Sequence, residues 1–224
     1  MLFRSTKGIN QDYLKRAIVQ ETSSTWHTSP SVGVKRMYLE RDNFGEFAKA
    51  TSIVKFDSKS SFSGHIHTNG EEFFVLEGTF SDEYGDYPEG SYVRNPNGTF
   101  HNPYSDKGCK IFVKLRQFNK LDTKRVVKNI QDTWSLSNSG IAFLNLHTFK
   151  NEISYLVRFK PHTKVILPFS GDGGQEILVI SGAIFDQSIE YKKITWMRDS
   201  KCCLIDPYTM DQEVLMLVKT GHLL

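Results

Sequence analysis

The sequence predicts an all-β protein built from two tandem copies of one barrel-like fold. Short runs rich in Val, Ile, Phe and Tyr alternate with turn signals such as Asn-Gly, Asp-Lys-Gly and Pro-Glu-Gly. Five segments of the first half recur in the same order in the second half. Each copy spans about 100 residues, a length typical of small β-barrels and jelly rolls.

The repeat begins with the segment KRAIVQETSSTW (Lys15–Trp26), which the segment KRVVKNIQDTW (Lys124–Trp134) echoes. Each Trp is followed by a polar turn, a glycine (Gly33 or Gly140) and a strand-like run. A helix over Asn10–Gln20 is an alternative, because apolar residues there could share one face. The two consecutive valines of the echo favour a strand instead.

The strongest repeat pairs GEEFFVLEGTFSD with GGQEILVISGAIFD, so that Gly78 corresponds to Gly182. SIVKF and YLVRF precede these segments, and IFVKL and LMLVK follow them. The offset between the copies stays at about 103 to 109 residues, as expected of a tandem duplication with small insertions. We therefore expect one domain over residues 1–118 and a second over residues 119–224.

The composition narrows the class of protein. Its 39% hydrophobic residues allow a sizeable core, and a net charge of +3 without a basic cluster argues against nucleic-acid binding. No apolar run suits a signal peptide or a membrane span. The three cysteines are too few and too irregular for a disulfide framework. We expect a soluble, cytoplasmic protein, and a homodimer because barrel edges favour pairing.

The stretch GHIHTNGEEFFVLEG contains the residues that are best suited to bind a metal or take part in catalysis. His65 and His67 would point to the same face of a strand, and the Thr-Asn-Gly turn brings the chain back with Glu71 beside them. A third imidazole, His101, follows the turn PNG. Glu72 is the rival of Glu71, since strand alternation lets only one of them face the histidines.

Three neutral imidazoles and one carboxylate form a good site for Zn²⁺, Fe²⁺ or Mn²⁺ with positions left open for a ligand. The alternative is a hairpin whose polar residues are merely solvated. The combination of the paired histidines, the glutamate and the later histidine favours the metal site.

These residues resemble the two motifs of the cupin family. The first motif is matched by His65, His67, Glu71 and Gly78, and the second by Gly90, Pro96, Gly98 and His101. Lys59 replaces the first glycine of the family pattern, and Ser105 replaces its last asparagine. The resemblance implies a tandem pair of jelly-roll barrels, a bicupin. It also implies one divalent metal, held by His65, His67, Glu71 and His101, with zinc expected first and iron, manganese or nickel as alternatives.

The stretch from Gly70 to Leu115 is similar to the cupin domain of ChrR-type anti-sigma factors. That resemblance implies a zinc-binding regulatory module in the response to singlet oxygen and organic peroxides, with a regulatory protein as partner. Because the chain begins directly with cupin-like sequence and has no CxxC motif, we expect no N-terminal sigma-binding domain.

The second copy has lost the predicted ligands. The positions that match His65 and His67 fall on Pro168 and Ser170 or on Phe169 and Gly171. Gln175 stands in place of Glu71, and nothing near Ile205 replaces His101. We expect a degenerate barrel without metal. His162 and His222 lie outside the motif pattern.

Two further features have a functional and a structural interpretation. Cys109 could be a thiol that senses oxidation near the metal, but a small buried core residue is the simpler interpretation. The acidic run SDEYGDYPEG, with Asp82, Glu83, Asp86 and Glu89, is interpreted as a solvated hairpin end.

Two functions follow from this sequence. The first is a sensory module whose metal responds to a small ligand or an oxidant. The second is a metal-dependent dioxygenase for a small diketone or an aromatic ketone, since iron with open positions can activate both substrate and O₂.

Overall fold

The computed structural model describes residues 8–43, 47–137, 141–169 and 172–223. Within these ranges the chain forms 22 strands and one short 3₁₀ turn, Glu21–Ser23, which confirms the predicted all-β class. The strands of the first half are β1 (Ala17–Gln20), β2 (His27–Thr28), β3 (Val34–Arg41), β4 (Ala50–Phe56), β5 (Ser60–Ser61), β6 (His65–Ile66), β7 (Glu71–Asp82), β8 (Gly85–Pro88), β9 (Ser91–Asn95), β10 (Phe100–His101), β11 (Tyr104–Ser105) and β12 (Cys109–Leu115).

The second half repeats this pattern. Its strands are β13 (Val126–Asn129), β14 (Ser135–Leu136), β15 (Ala142–Phe149), β16 (Glu152–Phe159), β17 (Gln175–Ser181), β18 (Ala183–Asp186), β19 (Ile189–Lys192), β20 (Thr195–Asp199), β21 (Tyr208–Thr209) and β22 (Val214–Thr220). No helix in the described ranges has the length and apolar character that crossing a membrane requires.

The chain divides into two compact units, and each is described by itself. The first unit contains Thr25–Gln131 and the described residues up to Gln11. Its main sheet has the order β13-β9-β7-β12-β4-β3-β2; β8 pairs with β7, β11 pairs with β5 and β7, and β6 and β10 form a separate ribbon. Its core is apolar and aromatic, with Val34, Val54, Phe73, Phe80 and Ile111 among the buried side chains.

The second unit contains Asp12–Ser24 and the described residues from Asp132 onward. Its larger sheet has the order β1-β20-β17-β22-β16-β15-β14, and a smaller sheet has the order β19-β18-β21. Its core includes Tyr155, Ile177, Met197 and Val218, all fully buried.

The first strand of each sequence copy belongs to the compact unit that is formed mostly by the other copy. Strand β1 pairs with β20 in the second unit, where Ala17 lies opposite Arg198. Strand β13, its repeat partner, pairs with β9 in the first unit, where Val126 lies opposite Arg94. The Asn10–Gln20 region thus contains a strand and not a helix, as the echo segment indicated. The predicted boundary at residue 118 separates the two sequence copies. It does not separate the two compact units, because each unit contains residues from both copies.

A β-bulge recurs at the same place in both copies, at Leu76 and at Ile180, two residues before a glycine. Gly78 in β7 has φ +75 and Gly182 after β17 has φ +73, backbone conformations that side chains disfavour. A Cβ atom at Gly78 would collide with the carbonyl oxygen of Gly108, and one at Gly182 with that of Glu213. The bulge bends the long strand β7, so its first half joins one sheet and its second half pairs with β8.

Candidate metal centre

Three short segments of the first unit bring the predicted ligands together. Strands β6 and β10 pair antiparallel, with His65 directly opposite His101. The backbone N–H of His67 donates to the Thr99 carbonyl, which continues this pairing by one residue. Glu71 then opens β7 after the Asn69-Gly70 turn, whose two residues both have positive φ. The turn that the sequence predicted therefore returns the chain beside the histidines.

The four side chains form one compact cluster. One candidate ligand atom of each of His65, His67, Glu71 and His101 lies within 4.8 Å of the others. Oε1 of Glu71 is 3.4 Å from Nε2 of His67 and 3.6 Å from Nε2 of His101. His67, Glu71 and His101 are buried, while His65 is only partly buried and lies at the entrance.

The hydrogen bonds around the cluster set the tautomer of each imidazole. Nδ1 of His65 lies 2.9 Å from the Ser63 carbonyl oxygen, which can accept a hydrogen bond but cannot donate one. Nδ1 of His67 lies 2.8 Å from Oγ1 of Thr99, and that hydroxyl already donates to the Pro96 carbonyl. Both histidines must therefore carry the proton on Nδ1, which leaves the Nε2 lone pair free.

His101 is oriented in the same way by a carboxylate. Its Nδ1 lies 3.3 Å from Oδ2 of Asp82. A proton on Nδ1 of His101 again leaves Nε2 with a lone pair. Metal-binding histidines typically donate their second nitrogen to a carbonyl or carboxylate in this manner, because the contact fixes both ring and tautomer.

The donor set fits a divalent metal. Nε2 of His67 and Nε2 of His101 are buried without a hydrogen-bond partner in the described part of the chain. Burial lowers the pKa of His67 to about 4, partly against the opposing charge of Glu71, so this ring is neutral at physiological pH. Three imidazole nitrogens and one carboxylate oxygen can hold zinc, iron, manganese or nickel.

Glu72 lies on the other face of β7. Its Oε2 accepts a hydrogen bond of 2.7 Å from the Tyr92 hydroxyl and lies 3.4 Å from Nε of Arg94. Arg94 also forms an ion pair of 2.7 Å with Asp122. The alternation of the strand thus directs Glu71 toward the histidines and Glu72 into a buried ion-pair network.

Asp82 is the site residue that the sequence interpretation missed. Glu83, Asp86 and Glu89 are exposed as predicted for a hairpin end, but Asp82 is 5% exposed, so the solvated interpretation is wrong for this residue. Its Oδ1 accepts hydrogen bonds from the Tyr84 N–H and the Tyr87 hydroxyl.

Burial alone would raise the pKa of the Asp82 carboxyl. The hydrogen bonds from His101, the Tyr84 backbone and Tyr87 outweigh this effect and lower the pKa below its usual value. The repeat carried the signal for this residue, since GTFSD and GAIFD both end in Asp. The counterpart Asp186 is also buried, and it accepts from the N–H of Ile205, the position equivalent to His101.

We expect Asp82→Asn to weaken metal binding without removing a ligand. The amide keeps the shape but loses the charge that orients the His101 ring, so metal affinity should fall by about 10- to 100-fold. Competition with a chromophoric chelator measures this change. Asp86→Asn is the matched control, because Asp86 is exposed on the same hairpin, and unchanged affinity in Asp82→Asn would contradict the positioning role.

A cavity of about 460 Å³ opens directly onto the cluster. Its apolar walls come from β4, β7 and β12, and include Val54, Phe56, Phe80, Ile111 and Val113. The volume lies within the range of about 300 to 1,000 Å³ that is typical of small-molecule sites. The metal cluster is therefore accessible to a ligand of moderate size.

The second unit lacks the equivalent donors among its described residues. Gln175 occupies the register position of Glu71, opposite Asp199 and Thr220. Its amide oxygen accepts from the N–H of Cys203. Ile205 is exposed, and Phe169 packs against the core. Ser170 and Gly171, the remaining candidate positions, lie outside the described residues.

The other singled-out residues lie apart from the cluster. Cys109 is a buried core residue, and burial raises the pKa of its thiol to about 11. Cys203 is buried and Cys202 is exposed. Nε2 of His222 lies 2.9 Å from a carboxylate oxygen of Glu176. His162 is largely exposed beside Asp211.

Similar structures share this architecture at low sequence identity. A dioxygenase candidate from Nostoc punctiforme is 13% identical, covers 94% of this chain and 84% of its own, and has a TM-score of 0.68. Ylba from Escherichia coli is 14% identical over 93% of this chain and 91% of its own, with a TM-score of 0.69.

A third similar structure contains a metal. The pirin YhhW from Escherichia coli, in complex with nickel(II), is 12% identical, covers 92% of this chain and 99% of its own, and has a TM-score of 0.67. These likenesses show the cupin fold. No curated protein matches the chain in sequence.

The family comparison covers nearly the whole chain. The model of the ChrR cupin-like domain matches twice, over residues 14–119 and 122–224. The two matches correspond to the two sequence copies and agree with the resemblance of the His-rich motif. The chain therefore belongs to the ChrR cupin-like domain family, of which it carries two copies.

Proposed function

We propose that this chain is a zinc-binding regulatory protein of the cytoplasm, in which the metal responds to a small ligand or an oxidant. The convergence of three Nε2 lone pairs and Glu71 on one buried point carries the proposal. In it, His65, His67, Glu71 and His101 hold one zinc ion, and the second unit serves as a structural or partner-binding barrel. Membership of the ChrR cupin-like family supports a link to the transcriptional response to singlet oxygen and organic peroxides.

The location of the thiols supports sensing through the metal site. Cys109 and Cys203 are buried, and burial raises the pKa of both thiols, so neither forms a thiolate readily at neutral pH. Cys202 is exposed, but it belongs to the second unit, which does not contain the cluster. Bound zinc would supply a Lewis acid beside the cavity. A ligand or oxidant that reaches His65 at the entrance would change the occupancy or geometry of the metal, and a regulatory protein partner or a homodimer would transmit this change.

The test is the metal content before and after oxidation. We expect protein purified without added metal to contain stoichiometric zinc, and exposure to singlet oxygen, which adds to the imidazole ring of a ligand such as His65, to release it. A chromophoric zinc indicator measures the release, and circular dichroism reports the fold. Metal content and fold that both stay unchanged after oxidation would contradict the sensory proposal.

The cavity favours a metal-dependent dioxygenase as the second candidate. Its apolar walls beside the cluster would exclude water from a diketone or aromatic ketone. Stoichiometric iron in the purified protein, together with O₂ uptake when such a substrate is added, would support this candidate. Absence of O₂ uptake by iron-loaded protein over a panel of diketones would remove it.

A further inference from the structure

Three arginines line the cavity beside the candidate metal centre. Arg36 lies on β3 directly opposite Val54, and it shares the inward face of its strand with the core residue Val34. Arg41 ends the same strand, and Arg116 follows β12 directly. All three contribute to the cavity wall. Residues that face the interior of a barrel are normally apolar. The three positively charged side chains beside this cavity therefore need a physical explanation.

The Arg36 guanidinium has no hydrogen bond or ion pair within the described part of the chain. Its nearest aromatic group is the Tyr38 ring, 5.9 Å from the guanidinium carbon. Burial lowers the pKa of the Arg36 guanidinium. The charges of Tyr38 and Glu71 oppose this shift, whereas the nearby Arg41 and Arg116 cations increase it. Arg36 is only partly buried, so its guanidinium can be reached from the cavity. An anion that enters would pair with a cation whose contact with water is already reduced.

The two neighbouring arginines are held in place by the protein. Arg41 donates to the Tyr38 hydroxyl at 2.9 Å and to the Asn43 carbonyl at 2.6 Å, and it stacks over the Tyr38 ring. The backbone N–H of Arg116 donates to the Gly70 carbonyl, and this residue has φ +62, an unfavourable value for a residue with a long side chain.

The lining of the cavity contains more basic than acidic side chains. Among the described residues that line it, Arg36, Arg41 and Arg116 carry guanidinium groups and Glu71 carries a carboxylate. Arg41 and Arg116 also interact with other groups of the protein, so Arg36 is the cation that an entering anion would meet. A metal ion on the cluster would add further positive charge. The remaining walls are mainly apolar, so the cavity combines a cationic part with a hydrophobic part.

We infer that the cavity binds a small organic carboxylate, with its anionic group against Arg36 and its apolar body along Val54, Phe56 and Ile111. The planar guanidinium fork matches a carboxylate in geometry as well as charge. The inference rests on the proposed function, because it names the ligand class of the same site. The expected ligand of the cavity is then an anion, and not the neutral ketone of the dioxygenase candidate.

Calorimetry with phenylacetate and its neutral analogue phenylacetamide tests the inference on the full zinc-loaded chain. We expect wild-type protein to bind phenylacetate and to bind phenylacetamide at least about tenfold more weakly. Arg36→Gln should weaken phenylacetate binding by about tenfold or more, and Arg36→Lys by less, because lysine keeps the charge but loses the fork. Lys35→Gln is the matched control, since Lys35 is an exposed cation on the same strand and does not line the cavity.

A second readout separates a binding role from a structural one. Arg36→Gln removes a cation that has no hydrogen bond or ion pair in the described chain, so the melting temperature of the variant without ligand should equal or exceed that of wild type. Arg41→Gln provides an independent variant of the cationic part, and it should weaken phenylacetate binding in the same direction. Equal affinity of wild type, Arg36→Gln and Arg41→Gln for phenylacetate, equal affinity for the amide, or no binding to wild type would overturn the inference.

The metal proposal is tested separately in the same samples. Zinc content should be the same in wild type and Arg36→Gln, because Arg36 is not a ligand. Arginine-dependent phenylacetate binding in protein that holds no zinc would support the anion site while contradicting the metal proposal. Stoichiometric zinc with arginine-independent binding would support the metal and overturn the anion site.

Discussion

His101→Ala should purify without stoichiometric metal, whereas the wild-type chain retains it. The change removes one of three imidazole ligands and leaves Asp82 without its partner in the cluster. Because removing a contact to a ligand already weakens a metal by about 10- to 100-fold, loss of the ligand itself should exceed that. Elemental analysis of protein purified without added metal measures the effect.

Thermal unfolding provides an independent measure of the same prediction. A metal at 100 times its dissociation constant stabilises the folded state by about 2.7 kcal/mol, which raises the melting temperature by several degrees. Zinc should raise the melting temperature of wild type and leave that of His101→Ala almost unchanged. His162→Ala is the matched control, since His162 is exposed and outside the cluster. Full metal content in His101→Ala would contradict the proposed ligand set.

The second large effect is expected at the opposite face of β7. Arg94 is fully buried between Glu72 and Asp122, with its guanidinium carbon 3.6 Å from the centre of the Phe118 ring. Arg94→Met would leave two buried carboxylates without this cation, so we expect a loss of about 3 to 5 kcal/mol of unfolding free energy. Urea unfolding followed by circular dichroism measures the loss.

Two variants check that the penalty comes from the unpaired charges. Lys124→Met, at an exposed cation of the same unit, should change the unfolding free energy by about 0.5 kcal/mol or less. Combining Arg94→Met with Glu72→Gln should be less destabilising than the sum of the single changes, because it removes one of the stranded carboxylates. A loss below about 1 kcal/mol in Arg94→Met would show that the ion-pair network contributes little.

The ligand cluster was predictable because its signal is local. His65, His67 and Glu71 lie within seven residues of one another, and strand alternation with one turn is enough to place them on the same side. The same alternation separates Glu71 from Glu72. His101 is remote in sequence, but its turn and spacing matched a known motif.

The surroundings of the cluster depend on contacts that a single sequence does not reveal. Asp82 belongs to a stretch dominated by exposed acidic residues, and only the fold of β7 past its β-bulge buries it. Arg36 sits in a strand whose alternation predicts an inward position, yet a charged residue there would ordinarily be assigned to the surface. The pairing partner of β1 could not be predicted either. Because the two copies are similar, β1 could pair with the equivalent strand of either copy, β9 or β20.

Strands β1 and β13 tie the biosynthesis of the two units together. Strand β1 is synthesised well before its partner β20, which lies about 180 residues later in the sequence. Strand β13 must likewise be synthesised before β9 gains its outer neighbour. Such distant pairing slows folding and exposes unpaired strand edges in the meantime. A fragment that ends at residue 118 would lack β13 and would contain β1 without its partner, so we expect neither sequence copy to form a complete barrel when it is made alone.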